Sequence, residues 1–298
     1  MAQTKQQIQS LLADAGAKPR RRFGQNFMID GNLVRIVADA GQIAPGDLVI
    51  EVGPGTGSLS EELLARGANV LAVEIDRALA EVLRKRFAQA GNFTLIEADA
   101  LMGKHALDAR IVEAIGREKT AGRLVRLVAN LPYNAASPLI VESLIAGVDL
   151  LAITVQKEVA DRLRSGPDCK EYGTLSIVAQ LLSRVEVVRT LPPQAFWPMP
   201  KIESALVRMT RQDRLGIHAA AFGTFIHRVF SARRKTLRNA LTMAGVDADK
   251  LLADAGISGL ARPEQIAPAD FLRLFEAIGG EAEIPWWPVI IEMPPLIG

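Results

Sequence analysis

The stretch Asp47-Leu48-Val49-Ile50-Glu51-Val52-Gly53-Pro54-Gly55-Thr56-Gly57 decides the fold. An apolar run of strand length empties into a glycine-rich turn, and residues 58–65 continue with helical spacing. A short apolar run, a tight turn and a helical period open a βαβ unit. The pattern recurs downstream. Strands are expected at 69–73, 93–96, 124–129 and 150–155, with helices at 77–87, 109–115, 138–145 and 156–164. Strands alternating with helices of this length build a mostly parallel sheet with right-handed crossovers. The fold class is therefore α/β, a Rossmann-like sheet.

The flanks are different. Residues 5–15 can form a helix with Ile8, Leu11 and Leu12 on one side, and a helix at 32–40 has Asp30 as its N-cap. Past 174–182, a further helix, strands are expected at 185–190 and 205–209 around a proline-rich segment, 191–200. Beyond Thr210 the pattern is wholly helical, at 218–230, 235–243, 249–255 and 268–278. This gives four parts: an N-terminal helix with a basic segment (1–30), the α/β domain (31–212), a small all-helical domain (213–280) and a Pro/Trp-rich tail (281–298). The tail's four prolines exclude a helix or a central strand, and packing on the body is the favoured reading.

With a single cysteine, Cys169, an intramolecular disulfide and a cysteine zinc cluster are both excluded. His105, His218 and His227 lack paired spacing, so no metal is expected. The polar start, without an apolar core, is no signal peptide, and no apolar run is long enough to span a bilayer; a cytoplasmic protein is expected. The net charge of +2 hides a split. Residues 201–238 hold nine Lys/Arg against two Asp/Glu, whereas 247–298 hold three against nine. Concentrated basic charge in a near-neutral chain suits a nucleic-acid face. The candidates are Lys201, Arg228, Arg233, Arg234, Lys235 and Arg238, the later ones projecting from a helix start after an interruption near Ser231 or Ala232. Arg20, Arg21 and Arg22 form a second basic cluster, for which a solvated linker is the simpler reading.

Three successive strand ends carry ligand-binding chemistry. Glycines at 53, 55 and 57 let a ligand approach the backbone. Glu74 ends the next strand, where a carboxylate can accept from two ribose hydroxyls, and Asp99 follows the third, where it can accept from an adenine amine. Singly, each acid is as well explained as a cap or a surface charge; together they favour an adenosine-containing ligand. The G-x-G-x-G spacing differs from that of dinucleotide sites. After the fourth strand comes Asn130-Leu131-Pro132-Tyr133. An adenine amine is a poor nucleophile because its lone pair is delocalised into the ring. Two acceptors bound to its two N–H groups draw that pair out of the plane. The Asn130 side-chain oxygen and the Leu131 carbonyl can be those acceptors, with Pro132 restricting Leu131 and Tyr133 stacking on the base. Phe196 can cover the base's other face; a hydrophobic plug is an equally good account of it.

With these residues in view, the chain resembles the rRNA adenine dimethyltransferase family, on its bacterial small-subunit branch. The matching segments include RRFGQNFMID (21–30), EVGPGTGSLS (51–60), NLPYNAASP (130–138), FWPMPKIESA (196–205) and VFSARRKTLRNAL (229–241). The resemblance implies a class I methyltransferase sheet and S-adenosylmethionine as donor. It also implies N6-dimethylation of two adjacent adenines in the 3′-terminal hairpin of small-subunit rRNA, by a monomer acting within a pre-ribosomal particle. Gln25, Asn26, Met28, Glu51, Gly53, Gly55, Glu74, Ile75, Asp99, Ala100 and Asn130 then line the cofactor site. The family usually has leucine where Met28 stands, and Ala135-Ala136-Ser137 departs from its usual sequence after the loop. Two alternatives share the scaffold: a large-subunit rRNA dimethyltransferase of the macrolide-resistance type, and a non-catalytic ribosome assembly factor.

Overall fold

The computed structural model describes residues 3–20, 23–103 and 106–279. They divide into two compact units: one runs to Ser165 and resumes over Ala179–Arg214, and the other comprises Gly166–Val178 and the described residues from Leu215 on. Arg21, Arg22 and the 281–298 tail lie outside the described residues.

In the first unit, β2 (Leu48–Val52), β3 (Asn69–Glu74), β4 (Phe93–Glu97), β5 (Val125–Asn130) and β6 (Leu150–Gln156) pair in parallel, and β7 (Ser183–Leu191) and β9 (Ser204–Arg211) are antiparallel. The order across the sheet is β4-β3-β2-β5-β6-β9-β7. The chain steps outward from β2 to β4, then returns to place β5 on β2's other side. That reversal opens a crevice at the carboxyl ends of β2 and β5, where α/β sheets bind ligands. Strands buried on both faces read as unbroken apolar runs. Accordingly Val49, Val125, Val128, Ala129, Leu151, Ala152 and Ile153 are fully buried.

The helices follow from their caps and apolar faces. In α2 (Gly31–Ala40), the Asp30 carboxylate accepts from the Asn32 and Leu33 amides. α3 (Ser58–Ala65) starts from Gly57, whose φ of 84° is left-handed; a Cβ there would lie 2.6 Å from the Phe87 ring. The Asp76 side chain caps α4 (Arg77–Arg86). α5 (Ala109–Thr120) runs past the expected end at residue 115, because its polar last turn carries Arg117 and Lys119, which suit a helix C-terminus. α6 (Ala136–Ile145) follows β5, and α7 (Lys157–Arg164) follows β6. A separate two-stranded ribbon joins β1 (Phe27–Met28) to β8 (Phe196–Trp197), with Phe27 opposite Trp197 and Met28 opposite Phe196. Ile8 and Leu12 of α1 (Lys5–Asp14) pack with Phe27, Leu79 and Trp197.

The second unit contains α9 (Ala219–Ser231), α10 (Leu237–Met243), α11 (Ala248–Ala255) and α12 (Pro268–Ala277). Its core is aromatic: Phe222 meets Phe275 edge-on at 5.4 Å, with Phe225 and Phe271 also fully buried. The buried Tyr172 donates its hydroxyl proton to the Ile266 carbonyl at 2.7 Å. The division between the units falls inside α8 (Thr174–Leu182).

Candidate active site

The crevice at the strand ends is a solvent-open cleft of about 650 Å³. Glu51, Gly53 and Gly55 line it at the end of β2 and in the turn beyond, Glu74 and Ile75 at the end of β3, and Asn130 and Pro132 at the end of β5. Gln25, Asn26 and Met28 close it from the segment that precedes α2. The structure therefore gathers nine of the expected cofactor residues around one space. Asp99 and Ala100 are not among its walls. The Asp99 carboxylate accepts from the Leu101 amide at 2.9 Å, two residues past β4, and Ala100 is buried.

The glycine turn is tight for steric reasons. Gly53 and Gly55 have φ of 70° and 62°, and a Cβ on Gly55 would lie 2.8 Å from the Phe27 ring. The turn is also pinned from outside. The Gln3 side chain donates to the Thr56 carbonyl at 3.1 Å and accepts from the Thr56 hydroxyl at 2.5 Å. The Arg86 guanidinium donates to the same carbonyl at 2.6 Å.

Two buried carboxylates face the cleft. Glu74 accepts from the Gly55 amide at 3.1 Å through one oxygen and from the Asp76 amide at 2.9 Å through the other. Burial pushes its pKa up to about 7 despite those bonds. Glu51 accepts the Ser60 hydroxyl proton at 2.6 Å, and burial pushes its pKa up to about 8, with Glu74 adding to the rise. Among the described residues, the walls hold these two acids and no lysine, arginine or histidine. The Arg86 guanidinium partly offsets Glu51, and a cationic ligand in the cleft would add to that countercharge.

The Asn130 amide is held at both ends. Its nitrogen donates to the Asn26 carbonyl at 2.6 Å, and its oxygen accepts the Thr154 hydroxyl proton. The Asn26 carbonyl can only accept, so the amide nitrogen must face it and the orientation is fixed. The Tyr133 hydroxyl is hydrogen-bonded to the Ser204 hydroxyl at 2.6 Å, and burial raises its pKa. Leu131 is buried, and its amide donates to the Thr154 carbonyl at 3.2 Å. Thr154 and Ser204, both fully buried, were not picked out by sequence reasoning. The available signal was one hydroxyl amid the apolar run 150–155.

Other expectations change. Phe196 is 2 % exposed and packs in the core with Met28, Leu33 and Leu206, so its ring fills the fold rather than a cleft wall. Here the plug reading matches the arrangement. Arg20 pairs with the buried Asp76 at 3.5 Å and lies over the Phe23 ring, helping to clamp the segment whose Gln25 also bonds Asp76. Arg233 and Arg234 lie exposed in the turn between α9 and α10, with Lys235 beside them; they do not project from a helix start, because α10 begins at Leu237 under a Thr236 cap. Arg238 is on α10 and pairs with Asp249. Arg228 lies in the last turn of α9, and Lys201 is exposed in the loop between β8 and β9. Among the described residues, no group of three or more His, Cys, Asp or Glu could hold a metal, and no helix is long and apolar enough to cross a membrane.

Comparison with known proteins gives a consistent picture. The profile of the family described as ribosomal RNA adenine dimethylase matches residues 16–279. Ribosomal RNA small subunit methyltransferase A of Magnetococcus marinus is 41 % identical over 273 residues, covering 90 % of this chain and 94 % of that protein. The crystal structure of the 23S rRNA methyltransferase ErmE is similar with a TM-score of 0.58 and 25 % identity, covering 85 % of this chain and 99 % of that one. A dimethyladenosine transferase from Plasmodium falciparum shares the fold with a TM-score of 0.64 at 22 % identity, covering 84 % and 96 %.

Proposed function

The chain belongs to the ribosomal RNA adenine dimethylase family, and from that premise we propose that it dimethylates the N6 amines of two adjacent adenines in the 3′-terminal hairpin of small-subunit rRNA. On this reading S-adenosylmethionine is the donor, the substrate is a pre-ribosomal particle in the cytoplasm, and the protein acts as a monomer. The observation that carries the reading is the fixed Asn130 amide at the wall of a cleft with two carboxylates and, among the described residues, no basic side chain.

When bound, S-adenosylmethionine supplies an electrophilic methyl group on a cationic sulfur. Glu74 keeps lone pairs for the ribose hydroxyls after its two backbone bonds, and Gly53, without a side chain, lets the methionine portion approach its backbone. Asp99, which lies outside the cleft wall and accepts from the Leu101 amide, would have to turn toward the cleft to take the adenine edge. Glu74 in its ionised form complements the positive charge. At the acceptor side, Asn130 Oδ1 and the Leu131 carbonyl accept the two N–H bonds of the target amine, and Tyr133 stacks on the base. The amine's acidity rises sharply on methylation, so its proton leaves to water without a strong base. The turn residues Arg233, Arg234 and Lys235 contact rRNA phosphates, as do Arg228 and Lys201.

The test is transfer of labelled methyl groups from S-adenosylmethionine to undermethylated small ribosomal subunits, with the modified nucleotides mapped by mass spectrometry. Two dimethylated neighbouring adenines near the 3′ end are expected. The similarity to ErmE makes large-subunit rRNA the informative control. Label there and not on the small subunit overturns the substrate assignment, and cofactor binding without transfer to either leaves an assembly factor.

A further inference from the structure

The strand β6 is apolar from Leu150 to Val155 except for Thr154. Its side chain is fully buried, where valine has the same shape and suits a strand as well. Packing therefore explains the residue's size but not its hydroxyl. The hydroxyl has a defined use: it donates to Asn130 Oδ1, directly across from Thr154 in the parallel pair. The backbone carbonyl of the same residue accepts the Leu131 amide proton at 3.2 Å. One residue of the neighbouring strand thus holds both residues that present an acceptor to the target amine.

An amide oxygen has two lone pairs. With the Asn130 nitrogen committed to the Asn26 carbonyl and one lone pair to Thr154, a single direction remains on Oδ1 for a further donor. We propose that Thr154 is a positioning residue for methyl transfer: its hydroxyl aims the remaining Asn130 lone pair, and its carbonyl seats the Leu131 peptide. This rests on the reading of Asn130 and Leu131 given above. A misaimed acceptor binds the ground-state amine nearly as well but fails to hold it in the attacking geometry, so the loss falls on the chemical step.

The experiment compares Thr154→Val, Thr154→Ser and Asn130→Ala. It measures the single-turnover methylation rate on small ribosomal subunits at saturating S-adenosylmethionine, and S-adenosylhomocysteine affinity by calorimetry. For Thr154→Val the rate falls about tenfold, equivalent to about 1.4 kcal/mol, while cofactor affinity stays within about twofold. Thr154→Ser recovers most of the rate. If Thr154→Val fails to fold, Thr154→Ala against Thr154→Ser repeats the comparison with the hydroxyl as the only difference. A full rate without the hydroxyl, or an equal loss of cofactor affinity, overturns the inference. A full rate in Asn130→Ala overturns the reading of Asn130 and this inference with it. An inactive Asn130→Ala beside a full-rate Thr154→Val overturns this inference alone.

Discussion

The two buried carboxylates set the chemistry of the cleft at the level of single residues. Glu51 has its folded pKa raised from 4.5 to about 8. The protonated form is therefore favoured by folding: the stabilisation is fully present below about 4.5 and is lost as pH rises through about 8. Glu51→Gln keeps an acceptor for Ser60 but cannot ionise. Its melting temperature should exceed that of the parent at pH 9, and the gap should close by pH 5; a constant gap would contradict burial as the cause. Glu74, at about 7, gives a binding prediction. A cationic ligand favours the ionised acid, so S-adenosylmethionine affinity should rise between pH 6 and pH 8, with proton release on binding at the lower end. Calorimetry in buffers of different ionisation enthalpy reads both effects, and Glu74→Gln should weaken binding and flatten the dependence. For Tyr133, the proposed stacking would involve the ring and not the hydroxyl, which bonds Ser204. Tyr133→Phe keeps the stacking face and loses only the bond to Ser204, worth about 1 kcal/mol. Tyr133→Ala loses the stack as well, about 1–3 kcal/mol per base. Methylation rates should fall in that order, and equal losses would mean that the ring does not stack.

Among the elements, the β2–α3 turn shows how steric detail shapes a site. Gly55 needs both a positive φ and an absent Cβ, because Phe27 occupies the space. Gly53 has a similar φ, but a Cβ there would sit 3.5 Å from Pro132, an ordinary approach. Gly55→Ala should therefore destabilise the protein more than Gly53→Ala: the strain of about 1–3 kcal/mol is common to both, and the ring clash adds to the first. Thermal unfolding ranks the two, and a reversed order would place Phe27 elsewhere. This turn was fully legible in the sequence, with α3 at 58–65 as its spacing requires, because each glycine acts locally. So was the meeting of Gly53, Glu74 and Asn130, since parallel strands put their ends on one edge; Asp99, expected on the same edge, instead accepts from the Leu101 amide outside the cleft wall. The β1–β8 ribbon was not legible. Its two-residue strands are separated by most of the sheet, and no periodicity marks them. That ribbon carries Phe196 inward opposite Met28, so an aromatic that looks available in the sequence is committed to the core. Thr154 was hidden for the opposite reason: threonine is an ordinary strand residue, and only its partner across the sheet gives the hydroxyl a purpose.

On the scale of the whole molecule, basic charge is less uniform than the sequence totals suggest. In the second unit Arg238 pairs with Asp249 and Arg273 with Asp270, while Arg233, Arg234 and Lys235 lie exposed in the turn before α10 as a prominent cationic feature. Replacing Arg233, Arg234 and Lys235 together by alanine should weaken binding to small ribosomal subunits and reduce the salt slope by about 2–3, close to one unit for each phosphate no longer neutralised. S-adenosylmethionine affinity should be unchanged; an unaltered slope would remove the turn from the RNA interface. The strand order has a consequence for biosynthesis. Among the described residues β7 pairs only with β9, and β9 inserts between β7 and β6. A nascent chain that has emerged as far as Leu191 therefore holds a strand with nowhere to dock, and the buried strand β6 presents an open edge. The ribosome must deliver residues 204–211 before either is covered, and Ser204, the partner of Tyr133, arrives in that same delivery. Chains released short of that point should be prone to strand-mediated association. For this protein, synthesis through β9 closes the sheet and completes the loop that the rest of the site is built around.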